Sequence, residues 1–128
     1  MQNDKEKFKE NFIKRLVAFT VEVIKFAREL KGDSSLWSLI DQLIRSAGSI
    51  GANVVEAKAS SSKKDYLHFF EITLKSANET KYWLIVLIEV ATQHKQKAER
   101  LLQEVEEISK ILGASVLTLK GKKEAYAI

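Results

Sequence analysis

The sequence predicts an all-α protein, an antiparallel up-down-up-down four-helix bundle assembled as a cyclic oligomer. Three observations carry this. The 128 residues include no Pro and only five Gly, which favours long uninterrupted helices. Apolar residues recur every three or four positions through four stretches separated by short polar breaks, and short breaks make neighbouring helices antiparallel. The third stretch carries apolar residues around more of its circumference than a lone bundle helix needs. Residues 1–120 form the bundle, with helices at about 4–31, 36–58, 63–91 and 95–120, and 121–128 form a short basic tail.

Asn3 or Asp4 caps the first helix. Phe8, Phe12, Leu16, Phe19, Val23, Phe26, Ala27 and Leu30 give its period. Gly32 suits a left-handed stop, and Asp33, Ser34 and Ser35 offer caps for the second helix. Inside that helix, Gly48 and Gly51 each cost about 1 kcal/mol relative to Ala. They are either tolerated or mark a close helix-helix approach, with Ala47 and Ala52 beside them favouring the approach.

Ser60-Ser61-Ser62-Lys63-Lys64 is the next turn, where Ser62 and Asp65 resemble a capping box with Asp in place of Glu. On the third helix Phe69, Ile72, Trp83 and Leu87 mark one apolar face. Phe70 and Ile88 lie roughly 100° away, and Leu67, Leu74 and Ile85 lie further round. The apolar arc approaches two-thirds of the circumference, against about a third to a half for a monomeric bundle. A neighbouring subunit is the economical cover, so Leu67, Phe70, Leu74, Ile85 and Ile88 are the expected oligomer interface. After Thr92-Gln93-His94, the fourth helix carries Ala98, Leu101, Leu102, Val105, Ile108, Ile111 and Leu112. Gly113 is a possible stop, but Val116 and Leu119 keep the period, so the helix extends to about Lys120 with Gly121 closing it.

Composition narrows the function. No apolar run reaches the roughly 20 residues of a membrane span. The opening MQNDKEKFKE is too charged for a signal peptide. Zero Cys excludes disulfides and thiolate zinc sites and fits a cytoplasmic protein. His68 and His94 lie on different elements, and no Glu-x-x-His pair occurs, so neither a metal nor a cofactor is expected. No nucleophile motif or phosphate loop appears, and the chain reads as a non-enzyme.

Small and polar residues instead border the apolar faces. Ser46, Ser49, Asn53 and Glu56 fall within roughly 80° of arc on the second helix, and Ser76, Glu79 and Thr80 do the same on the third. A hairpin folded between residues 60 and 61 makes facing positions sum to about 121. That register pairs Arg45 with Glu79, sets Asn53 against His68 and Phe69, and puts Glu56 near the start of the third helix. There a carboxylate is favoured by free N–H groups. Arg45, Ser49, Asn53, Glu56, Ser76 and Glu79 therefore read as a structural polar stripe that fixes register. A catalytic acid-base pair would need perturbed carboxylates sharing a cleft, whereas Glu56 and Glu79 fall near opposite ends of the hairpin.

The bundle topology gathers the start of the first helix, the turn between the second and third, and the end of the fourth. Eleven bases and six acids meet there, a surplus of five positive charges where the whole chain carries +4. This is either a solvated rim or a phosphate-binding surface. Lys14, Arg15, Lys58, Lys63, Lys64, Lys120, Lys122 and Lys123 are the candidate nucleic-acid contacts.

The stretch 45–84 resembles a known family. Arg45, Ser49-Ile50, Asn53, Glu56, Asp65-Tyr66 and Phe69, followed by Lys75-Ser76-Ala77-Asn78-Glu79, look like the small four-helix bundle proteins encoded in intervening sequences of bacterial 23S ribosomal RNA genes. The accessory variability determinant of diversity-generating retroelements is a relative of that family. The resemblance covers roughly 110 residues. One departure is Ala57-Lys58 after Glu56, where the family usually has Gly, so the turn is expected to start later. The resemblance implies a homopentamer and, for retroelement relatives, binding of nucleic acid and a reverse transcriptase through basic surface. It implies no activity for the ribosomal members. The leading reading is an oligomeric bundle that binds structured RNA or DNA as a scaffold or accessory factor. The alternative is a protein-protein interaction module, such as a reverse-transcriptase accessory subunit.

Overall fold

The computed structural model describes residues 3–121, and they are all-helical apart from short connections. Helix α1 spans Asp4–Leu30, α2 Trp37–Ala59, α3 Lys63–Val90 and α4 Lys95–Lys120. Single 3-10 turns at Ser34–Leu36 and Thr92–His94 lead into α2 and α4. No helix among the described residues is long and apolar enough to cross a membrane.

Local chemistry sets the ends. The Asn3 side chain accepts from the Glu6 amide at 2.8 Å, and Ser62 accepts from the Asp65 amide at 3.1 Å. Each satisfies one of the free N–H groups of a first turn. Gly32 does not adopt the left-handed conformation expected of it. Gly121 is the sole positive-φ residue among those described, at φ 66°, and α1 instead closes through the Lys31 amide on the Arg28 carbonyl. Helix α4 runs straight through Gly113, and the Gly121 amide caps it on the carbonyls of Leu117 and Thr118. With Ala57 and Lys58 helical, α2 continues to Ala59.

The core is one cluster drawn from all four helices. Leu16, Val23 and Phe26 of α1 meet Leu43 and Ile50 of α2, Leu84 and Leu87 of α3, and Ile108 and Leu112 of α4. Each such side chain contributes about 1.5–3 kcal/mol by leaving water. Helix α3 is the central rod, packed closely along both α2 and α4, while α1 lies mainly on α2.

The core-facing line of α3 is not the expected one. It is Phe70, Thr73, Ala77, Thr80, Leu84 and Leu87 that are buried, while Phe69, Ile72 and Trp83 are only half-buried. One alanine, Ala77, and two threonines at the centre let α2 and α4 come near, and the bulkier side chains are displaced to the flanks. Much of the wide apolar arc is thus covered within the chain. Phe70 is buried and is no interface residue, and Leu67, Leu74 and Ile88 pack partly against the core. Of the five expected interface residues, Ile85 alone stands largely exposed.

Candidate nucleic-acid interface

The polar stripe is a hydroxyl ladder between α2 and α3. Thr80 Oγ1 lies 2.9 Å from Ser46 Oγ and 2.8 Å from the Ser76 carbonyl. Its single proton serves one acceptor. Donation to the Ser76 carbonyl leaves Thr80 to accept from Ser46, whose proton has one other acceptor, the Leu43 carbonyl at 3.2 Å. One turn along, Ser76 Oγ and Ser49 Oγ meet at 2.9 Å, and Asn53 Nδ2 donates to both the Ser49 hydroxyl and carbonyl, at 2.9 and 2.8 Å. Facing pairs therefore sum to 126 for Ser46–Thr80 and 125 for Ser49–Ser76, not about 121.

That shift dissolves the expected charged contacts. Arg45 does not meet Glu79. Its Nε lies 3.3 Å from Asp41 of its own helix, and Glu79 accepts from the Trp83 indole at 3.3 Å. Asn53 stays within α2 and bonds Ser49 instead of facing His68 and Phe69. Glu56 is exposed, and Ser62 supplies the cap of α3. Arg45, Glu56 and Glu79 thus lie outside the ladder, which consists of Ser46, Ser49, Asn53, Ser76 and Thr80. Thr73 and Ser109 are polar core residues outside the stripe read from the sequence. Thr73 is fully buried and returns its hydroxyl to the Phe69 carbonyl at 2.9 Å, which makes it look apolar to its neighbours.

At the other candidate site the helix ends do converge. Lys5 and Phe8 of α1, Lys58 of α2, Tyr66 of α3, and Thr118 and Leu119 of α4 line one cavity. Two of the expected cations are neutralised. Arg15 donates from Nε and Nη2 to Glu104 at 2.8 and 2.7 Å, and from Nη2 to Glu107 at 2.7 Å. The Glu104 hydrogen bonds chiefly hold the guanidinium above its ordinary pKa; burial, the next effect in size, opposes them, and the Glu104 charge with the Glu107 hydrogen bond and charge adds to the rise. Lys120 Nζ sits 3.0 Å from Glu71. Lys14, Lys58, Lys63 and Lys64 are exposed, and among the described residues none of them has a carboxylate within ion-pair distance. Lys122 and Lys123 lie outside the described residues.

The exposed apolar surface is broader than the sequence reading found. Val17 and Val21 on α1 stand exposed with Trp37 and Val55 on α2, and a separate set, Tyr82, Ile85 and Val90, lies on α3. Ile24, Trp37 and Ile44 share a groove between α1 and α2. The signal for the first set was present: Val17 and Val21 fall about 100–140° from Leu16 on the α1 circumference, so that helix too is apolar beyond its core face. Among the described residues no group of three or more His, Cys, Asp or Glu is placed to hold a metal ion.

Comparison with known proteins agrees with this architecture. The profile of a family described as 23S rRNA-intervening sequence protein matches residues 9–114. A crystal structure from Bacteroides thetaiotaomicron, described as a protein with unknown function from the S23 ribosomal protein family, is similar with a TM-score of 0.76 and 30% identity. The match covers 82% of this chain and 97% of that one. Among curated proteins none matches.

Proposed function

The chain belongs to the 23S rRNA-intervening sequence protein family, and on that premise we propose that it is a non-enzymatic, oligomeric bundle binding structured RNA or DNA through its basic end, as a scaffold or accessory factor. The observation that carries the reading is the run of exposed lysines Lys58, Lys63 and Lys64 about the α2–α3 turn, without carboxylate partners among the described residues. The N-termini of α1 and α3 open at the same end, and their free N–H groups add to the attraction for phosphate.

Two unlike sets of exposed apolar residues support the assembly part of this reading. Val17, Val21, Trp37 and Val55 stand exposed on α1 and α2, and Tyr82, Ile85 and Val90 on α3. A contact joining one surface to the other on the next copy is head-to-tail, and such contacts form a ring where the rotation between copies closes. A ring repeats the lysine cluster around one rim, and multiplied phosphate contacts steepen the dependence on salt.

A second reading, a protein-interaction module without a nucleic-acid role, is supported by the exposed aromatics Trp37 and Tyr82, a residue class enriched at interfaces. Fluorescence anisotropy of a labelled hairpin RNA across a salt series separates the two readings. Binding that weakens with salt, and is lost in the K58E/K63E/K64E variant, is expected. No binding at low salt, or an undiminished affinity in the triple variant, overturns the RNA reading in favour of the interaction module.

A further inference from the structure

The cavity at the lysine-bearing end has a volume of about 520 Å³, inside the range of about 300–1,000 Å³ typical of small-ligand sites. Its deep surface is Phe12, Val54 and Phe70, all buried, and Phe8 stands 57% exposed beside it. The Phe8 ring stacks on Phe12 with centroids 6.3 Å apart, and Tyr66 stacks on Phe70 at 4.8 Å. Leaving Phe8 and an open apolar cleft in water is unfavourable unless something covers them.

The charge pattern says what kind of molecule fits. Lys5, Lys9 and Lys58 line the same cavity, and among the described residues none is ion-paired. Lys9 Nζ lies 5.1 Å from the Tyr66 ring centroid, a cation held over an aromatic face in place of an anion. The remaining polar lining offers little for base recognition. The Ser115 and Thr118 hydroxyls donate to the Ile111 and Ala114 carbonyls of their own helix, both at 2.9 Å. With those protons committed the two hydroxyls can only accept, so the edge of a nucleobase inserted here would find few fixed partners, which is costly. An alkyl chain has no such groups.

We propose that this cleft binds a free long-chain fatty acid, one per chain. The alkyl chain lies against Phe12, Val54 and Phe70, and the carboxylate meets Lys5, Lys9 and Lys58. The site shares Lys58 with the RNA reading but is separable from it, since Lys5, Lys9 and the α4 lining lie outside the Lys58, Lys63 and Lys64 set.

The test is displacement of the fluorescent acid cis-parinarate by palmitate, with hexadecanol as the uncharged comparison, all below their micellar concentrations. Saturable 1:1 binding is expected, with palmitate displacing the probe better than hexadecanol. Replacing two rim lysines in K5Q/K9Q should weaken palmitate about tenfold and leave hexadecanol unchanged. Filling the cleft with A114W or, from the exposed last turns of α4, T118W should abolish probe binding while circular dichroism and RNA affinity stay as in the parent. Equal displacement by acid and alcohol, or unaltered binding in a correctly folded A114W or T118W protein, overturns the proposal. Absence of probe binding overturns it too, and leaves the cleft to a neighbouring copy or to residues 122–128 of the chain itself.

Discussion

The hydroxyls of Ser46 and Thr80 meet at 2.9 Å across the α2–α3 interface, and both residues are buried. Water cannot replace either partner there. Thr80→Val keeps the shape of the side chain but removes that contact, and should cost about 1–2 kcal/mol in chemical denaturation. The S46A/T80V double variant should cost less than the sum of the single changes, because it leaves no orphaned hydroxyl. Strict additivity would show that the two groups do not depend on each other.

The converse case is Ser109. Its Oγ is buried without a hydrogen-bond partner among the described residues, so the group has lost water and gained nothing. Ser109→Ala should stabilise the fold by about 1 kcal/mol, read as a higher denaturation midpoint with an unchanged slope. A destabilised variant would mean the hydroxyl has a partner.

Arg15 joins α1 to α4, a helix pair with few other contacts, through Glu104 and Glu107. Arg15→Lys keeps the charge but not the fork that reaches both Glu104 oxygens. With the pair about one-third exposed, the loss should be about 1 kcal/mol and should shrink in high salt. The guanidinium pKa is raised, so its contribution is complete below the ordinary arginine value and is lost only above it. Stability between about pH 5 and 10 should owe no pH dependence to this residue. Equal stability of the lysine variant would show that the fork is immaterial.

Asp33 titrates below the ordinary carboxylate range, held there first by the Ser35 hydroxyl and then by the Ser35 amide. A depressed carboxylate favours the folded state above its ordinary pKa, and that advantage disappears as pH falls through the lowered value. In an NMR titration, Ser35→Ala should move the Asp33 midpoint upward. An unmoved midpoint would assign the shift elsewhere.

The helices were legible because their signals are local: caps such as Asn3 and Ser62, the absence of Pro, and a 3.6-residue period that Gly113 does not interrupt. What escaped depends on register between helices. Predicting Arg45 opposite Glu79 needed the α2–α3 offset to within a turn, and the offset is set by small residues such as Ala77 that carry no directional signal. Thr73 and Thr80 read as polar in the sequence, yet their hydroxyls lie 2.9 and 2.8 Å from the Phe69 and Ser76 carbonyls of their own helix, so they pack as core. Arg15 counted toward the basic end for the same reason, since nothing in a one-dimensional charge tally reveals Glu104 and Glu107 across the α1–α4 contact.

Sedimentation velocity of the protein, alone and with a hairpin RNA at low salt, bears most directly on a ring of bundles presenting lysines on one rim. One species several times the 14.5 kDa chain mass, carrying the RNA with it, is the expected result. A 14.5 kDa particle that leaves the RNA behind would contradict both the assembly and the binding surface built on it.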